Sequence, residues 1–226
     1  MTDFDLDVIV RSLPYLWKGM EYTLQLTLIA MLGGFLFGTL LAMARLSSIK
    51  SLAWSAAGYV NLMRSVPLIL VIFWFYFLAP LIAQWITGAA APVAIGADKS
   101  VFITFILFEA AFYCEIMRAG IQSIPKGQVA AAYALGLNYR QAMLHVILPQ
   151  AFRNMTPILL TQTIILFQDT SLVYVLSITD FLGAANKVAQ RDGRLLEMYS
   201  VAAVVYFIIC YGLSLTVKRL QRKLAT

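Results

Sequence analysis

The sequence predicts an all-α polytopic membrane protein with five transmembrane helices, and three observations support this fold class. Of the 226 residues, 61% are hydrophobic and only 12% are charged, with a mean hydropathy of +0.81. A water-soluble globule of this composition would be coated in apolar side chains. Five segments are apolar over about 20 residues, the length that crosses a bilayer as a helix. Basic residues are concentrated in alternate loops. We therefore predict one membrane domain over residues 1–226.

Stretches with few charges define the spans. Two stretches carry no charged residue over their whole length, the second span begins after Pro67, and the third and fourth spans contain isolated carboxylates. Residues Leu13 to Lys18 are expected to form a short interfacial helix before the first span, because Tyr15 and Trp17 suit headgroup depth. The predicted spans are residues 22–44, 66–86, 100–118, 156–178 and 198–217.

The distribution of basic residues predicts an N-terminus outside and a C-terminus in the cytoplasm. Residues 45–64, residues 118–153 and the C-terminal tail carry eleven basic residues and no acidic one. The positive-inside rule places such segments in the cytoplasm. Residues Met1 to Asp7 contain three aspartates and no basic residue, the reverse of a signal peptide, so this segment is expected to be retained. The net charge of +6 has this origin, and no nucleic-acid partner is expected.

The cytoplasmic connection over residues 123–152 is much longer than two neighbouring helices need. Its composition predicts an alanine-rich helix over residues 126–135, a break at Gly136, and a second helix over residues 138–148 that ends at Pro149. We expect this helix–turn–helix to present small side chains to a partner. From the residues alone, a buried loop or an interfacial helix remains an equal alternative.

The segment SIPKGQVAAAYALGLNYRQAMLHVILPQAFRNMTPIL resembles the cytoplasmic EAA loop of permease subunits in bacterial ATP-binding-cassette importers, in particular the polar amino acid uptake family. One position departs from the motif, because Ala130 stands where the family has its glutamate. The resemblance covers nearly the whole chain, and FQDTSLVYVLS is most similar to permease subunits for glutamate and aspartate. The resemblance implies a role in coupling to the ATPase for nine positions of this loop: Gly127, Gln128, Ala130, Ala131, Ala132, Leu135, Gly136, Leu148 and Pro149.

The resemblance implies partners and a location. In that family the loop docks into a cleft on a separate ATPase, present in two copies, and a second permease and an extracytoplasmic binding protein complete the system in the bacterial inner membrane. The missing glutamate at Ala130 favours a heteromeric permease pair over a symmetric one. No cofactor is expected on this chain, which lacks a phosphate-binding loop, so ATP and Mg belong to the ATPase.

The expected function is import of a polar amino acid, best matched by glutamate or aspartate, through alternating access. Glutamine, histidine or arginine are alternative substrates. An ATP-independent channel or carrier and a membrane scaffold without transport activity are further alternatives. The chain is expected to be a transport subunit and not an enzyme, since it lacks hydrolase and metalloprotease motifs.

Carboxylates at bilayer depth are the candidate substrate contacts, because an ionisable group there is costly unless it faces water or the bundle interior. We assign Asp169, Glu109, Gln168, Thr170 and Ser171 to a substrate pathway, with bonding inside the bundle as the alternative. At the inner end, Glu115 and Arg118 have the spacing of a structural ion pair. Arg64 is an interface anchor or an inner gate. No metal site is expected.

Overall fold

The computed structural model describes residues 4–225, so residues 1–3 of the N-terminal segment predicted to be retained lie outside the described residues. The described chain is helical, and five of its helices are long and apolar enough to cross a membrane, which confirms the predicted fold class. A π-helix, Met143–Ile147, precedes α7, and a 3₁₀-helix, Thr170–Leu176, follows it. The α-helices are α1 (Leu6–Arg45), α2 (Lys50–Ser65), α3 (Leu68–Thr87), α4 (Ala97–Gln122), α5 (Lys126–Ala134), α6 (Tyr139–Ala142), α7 (Leu148–Asp169), α8 (Phe181–Asp192) and α9 (Leu195–Ala225).

Glycines on α1 bring it into close contact with α4 in the middle of the bundle. A Cβ atom on Gly34 would lie 2.8 Å from the Glu109 Cβ, and one on Gly38 would lie 2.8 Å from the Tyr113 Cβ. Real side chains do not approach so closely, so only glycine allows this separation. Small residues of this kind are typical of helix interfaces in membranes, where close van der Waals contact drives association.

Gly38→Leu is therefore expected to destabilise the subunit by about 2 kcal/mol or more, the cost of overpacking a tight interface. The matched control is Gly212→Leu on α9, since a Cβ there would have no atom within 4 Å among the described residues. The thermal unfolding midpoint of the purified subunit in detergent measures the difference. Equal midpoints for the two variants would contradict the packing argument.

The first predicted span is wrong at its outer end. Residues Leu13 to Lys18 do not form a separate interfacial helix, because α1 runs without interruption from Leu6 to Arg45. Val8, Leu16 and Met20 are buried against α8 and α9. Their separations of eight and four residues place them on one side of the helix, and this packing extends the helix beyond the apolar window.

Residues 45–64, which sequence composition assigned to a cytoplasmic loop, form most of α2. This helix packs along the middle and inner part of α4, where Val60 is buried with Ala111 and Cys114 and the Tyr59 hydroxyl donates to the carbonyl oxygen of Leu107 at 2.8 Å. Pro67 caps α3 and separates it from α2, since the residue before a proline avoids helical geometry.

The second helix of the cytoplasmic connection does not end at Pro149, which corrects the sequence prediction. The backbone stays helical from Tyr139 to Asp169, and the π-helix lies immediately before this proline. A proline in a regular helix removes one backbone hydrogen bond and clashes with the carbonyl four residues earlier. A π-turn changes the hydrogen-bond register at that point, so the cytoplasmic helix passes directly into α7.

On the outer side, α8 packs between α1 and α9 where composition indicated only a loop. The Asp180 carboxylate caps α8 by accepting hydrogen bonds from the amides of Gly183 (2.9 Å) and Leu182 (3.1 Å). Burial raises the pKa of Asp180 to about 6, against the opposing effect of these hydrogen bonds. The Lys187 ammonium donates to the carbonyl oxygen of Ser177 at 3.1 Å and so holds the preceding turn against α8.

Candidate coupling surface and substrate pathway

A sharp turn between α5 and α6 forms an exposed apolar projection that we call the coupling tip (Tyr133, Leu135, Gly136 and Tyr139). The exposed fractions of its three large side chains are 47% for Tyr133, 82% for Leu135 and 67% for Tyr139. Gly136 has a φ of 80°, a left-handed conformation that favours glycine. The amide of Leu137 donates to the carbonyl oxygen of Ala132 at 3.1 Å, which closes the end of α5 in a Schellman-type turn.

The other positions assigned to the loop motif divide into outward and inward ones. Of the alanines, Ala130 and Ala131 are exposed and Ala132 is buried, so the outward surface of α5 carries small side chains beside the coupling tip. Asn138 and Gln141 form a capping box at the start of α6, which fixes the direction in which the chain leaves the turn. Exposed positions also include Gly127, Gln128 and Pro149, whereas Leu148 is half-buried.

The coupling tip lies well beyond the inner end of the transmembrane bundle. The Asn154 amide donates to the Ser123 hydroxyl at 3.0 Å, so Asn154 is level with the residue that caps α4. The chain from Asn154 back to Tyr139 is helical and spans about fifteen residues, or about 22 Å along the helix. The tip therefore lies at the end of a helical extension of about 22 Å that begins level with the inner end of α4.

Three arginines converge on the Glu115 carboxylate near the inner end of the bundle. Arg118 and Arg45 both form ion pairs with it, and an Arg64 guanidinium nitrogen lies 3.9 Å from the same carboxylate. The predicted spacing of Glu115 and Arg118 thus corresponds to an ion pair in the structure. Sequence reasoning missed Arg45, which is far from Glu115 along the chain. The cluster joins the inner ends of α1, α2 and α4.

Two of the five residues assigned to a substrate pathway face the interior of this subunit. Glu109 is only 1% exposed, and its two carboxylate oxygens accept hydrogen bonds from the Gln162 amide at 3.1 and 3.3 Å. Thr170 is fully buried, and its hydroxyl donates to the carbonyl oxygen of Phe167 at 2.7 Å. In this conformation both side chains bond within the bundle, which is the alternative to a substrate contact.

The structure brings Gln168 and Ser171 together in a groove between α7 and α9. They line a cavity of about 370 Å³ with residues of α8 and α9, including Tyr199 and Tyr206. A second cavity of about 340 Å³ lies beside it and shares Gln168 and Tyr206. Sequence reasoning did not find the two tyrosines, because they lie in an apolar span without a local motif. Asp169, between the two pathway residues, is half-buried, and its side chain has no hydrogen bond or ion pair with any other residue of the described chain.

A bundle that crosses the membrane five times, carries polar groups at bilayer depth and extends an apolar tip into the cytoplasm defines the chain as a membrane-embedded transport subunit. The chain belongs to the family of binding-protein-dependent transport system inner membrane components, whose sequence profile matches residues 9–226. It is a permease subunit of an ATP-binding-cassette importer of the amino acid class.

Individual relatives agree with this family assignment. The chain is 50% identical over 225 residues to the glutamate/aspartate import permease protein GltK of Escherichia coli O157:H7, covering 100% of both chains. It is 34% identical to the L-cystine transport system permease protein TcyB of Bacillus subtilis, over 96% of this chain and 90% of TcyB. The crystal structure of an amino acid ABC transporter with histidines matches with a TM-score of 0.88 at 29% identity, covering 99% of both chains.

Proposed function

We propose that this chain is one of two different permease subunits in an importer that moves glutamate and aspartate across the inner membrane by alternating access. An extracytoplasmic binding protein delivers the amino acid, and two copies of an ATPase bind on the cytoplasmic side. ATP and Mg are used by the ATPase, and this chain binds neither. The observation that carries the substrate assignment is the 50% identity to GltK over the full length of both chains.

The coupling tip supports the role assigned to the ATPase. Leu135 is 82% exposed at the end of a helical extension of about 22 Å. With Tyr133 and Tyr139 it forms a clustered apolar patch, the kind of surface that marks an interaction site. The tip is joined to the transmembrane bundle through one continuous helical segment, Tyr139 to Asp169. Movement of the tip by the ATPase is thereby transmitted to the part of α7 that carries Asp169.

The groove between α7 and α9 supports the assignment of substrate contacts. Gln168 and Ser171 supply neutral hydrogen-bonding groups along the groove, and these suit the carboxylates of an acidic amino acid. Asp169 offers a negative charge with no partner among residues 4–225, which suits the substrate ammonium. We assign the pathway to Gln168, Asp169 and Ser171, and we assign Glu109 and Thr170 to packing.

Transport by the reconstituted system tests the proposal. The four kinds of subunit are placed in proteoliposomes, and uptake of radiolabelled glutamate and aspartate is compared with uptake of glutamine, histidine, arginine and cystine. We expect ATP-dependent uptake of the two acidic amino acids only. Preferred uptake of another amino acid would overturn the substrate assignment. Uptake by this chain alone, without nucleotide, would indicate a channel or carrier instead.

A further inference from the structure

We propose that the coupling tip fits a protein cleft with an apolar floor and an acidic rim. This inference rests on the proposed function, in which the occupant of the tip is the ATPase subunit. It goes further in assigning the chemistry of the contact, which on this chain is an apolar projection with unpaired basic side chains on the two helices that form it.

The apolar part of the contact follows from exposure. Tyr133, Leu135 and Tyr139 lie within seven residues of sequence, and each exposes about half or more of its side chain. Ala130 and Ala131 beside them are also exposed, so the neighbouring surface of α5 is low enough for a partner to approach closely. Clustered apolar groups in water mark a docking surface that a partner covers.

The charged part of the contact follows from unpaired cations. Lys126 at the start of α5 and Arg140 on α6, next to Tyr139 of the tip, are both exposed. Neither side chain has a hydrogen bond or ion pair with another residue in the described range 4–225. The sequence contains no acidic residue from 116 to 168, so nothing on this surface neutralises them. By contrast, Arg118 nearby is paired with Glu115.

The distance from the membrane favours a protein over a lipid as the occupant. A basic and apolar surface also suits an anionic leaflet, but the polar headgroup region extends only about 5–8 Å beyond the hydrocarbon core on each side. Tyr139 lies about 22 Å along the helix below the end of α4. The length of this helical extension exceeds the thickness of the headgroup region, which favours a protein as the occupant.

The residue at position 130 agrees with this charge pattern. A glutamate there would require a basic group in the facing cleft, as the resemblance to the EAA loop implies. Ala130 is uncharged and needs no basic group opposite it. A basic cleft would repel Lys126 and Arg140. Complementarity therefore favours acidic groups at the rim that faces this subunit.

Charge reversal tests the inference in the assembled transporter. The complex is held in nanodiscs through a tag on this chain, and the dissociation constant of the ATPase is measured over a range of salt concentrations. We expect Lys126→Glu with Arg140→Glu to raise the dissociation constant roughly tenfold or more at low salt, and Ala130→Glu to raise it in the same direction. The matched control is Arg219→Glu with Arg222→Glu on the exposed inner end of α9, for which no change is expected.

Other outcomes separate this inference from the proposed function. Unchanged or tighter binding by the Lys126→Glu, Arg140→Glu variant would overturn the acidic rim. If the charge-reversal effect occurs only in nanodiscs that contain anionic lipid, the cations contact lipid and the inference is likewise overturned. If Leu135→Asp retains the ATPase with unchanged affinity, the docking role of the tip in the proposed function fails. If Leu135→Asp releases the ATPase while charge reversal has no effect, only the present inference fails.

Discussion

Gly136→Pro is expected to reduce ATP-driven uptake roughly 100-fold or more, equivalent to a loss of about 2.7 kcal/mol of coupling, while leaving the transmembrane bundle folded. Gly136 has a φ of 80°, and proline holds φ near −65°. Its amide also donates to the carbonyl oxygen of Tyr133 at 2.9 Å, and proline lacks that donor. The turn would open and Leu135 would leave its position. Uptake in proteoliposomes and retention of the ATPase by the tagged subunit measure the effect.

Gly136→Asn is the matched control for this prediction. Asparagine tolerates left-handed geometry better than other side chains, and a Cβ at this position would meet no atom within 4 Å in the described structure. We expect the asparagine variant to keep most of the uptake. If the proline variant transports as well as the wild type, the coupling role of the tip is wrong.

Glu115→Ala is expected to lower the stability of the subunit by about 2–3 kcal/mol, because it leaves several partly buried cations without their shared anion. The Glu115 side chain is 21% exposed and the Arg45 side chain 15% exposed, so water compensates only part of the loss. The thermal unfolding midpoint in detergent gives the direct measurement. The main consequence would be separation of the inner ends of α1, α2 and α4.

A double variant identifies the cause of this loss. Adding Arg45→Met to Glu115→Ala removes one of the stranded cations while retaining an apolar chain of similar length, so the double variant is expected to be more stable than Glu115→Ala alone. Simple additivity of the two single effects would contradict a shared charge cluster, since residues in contact are expected to couple.

The coupling tip was largely predictable because its signals are local. A run of alanines predicts a helix, Gly136 supplies the left-handed residue that ends it, and Asn138 with Gln141 has the spacing of a capping box. Pro149 was misread for a related reason. Its effect depends on whether the preceding turn can change its hydrogen-bond register, and the π-helix Met143–Ile147 has no equally clear local signal.

The candidate pathway was predictable only as a set of polar residues at bilayer depth. Glu109 and Asp169 both attract attention as carboxylates in apolar spans, yet their surroundings differ. Glu109 packs against Gly34 and accepts hydrogen bonds from Gln162, whereas the Asp169 side chain has no hydrogen-bond or ion-pair partner among the described residues. The two cases are separated by helix packing, which composition does not record.

By itself, the sequence determined the number of spans, their orientation and the position of the cytoplasmic turn, because apolar length, basic loops and left-handed glycine act over short distances along the chain. Only the tertiary structure decided which side chains meet. It assigned Arg45 to Glu115 and Gln162 to Glu109, and it made α2 part of the bundle. The physical reason is that these partners lie on different helices, and their meeting depends on the close approach of whole helices, such as the one that glycine allows between α1 and α4.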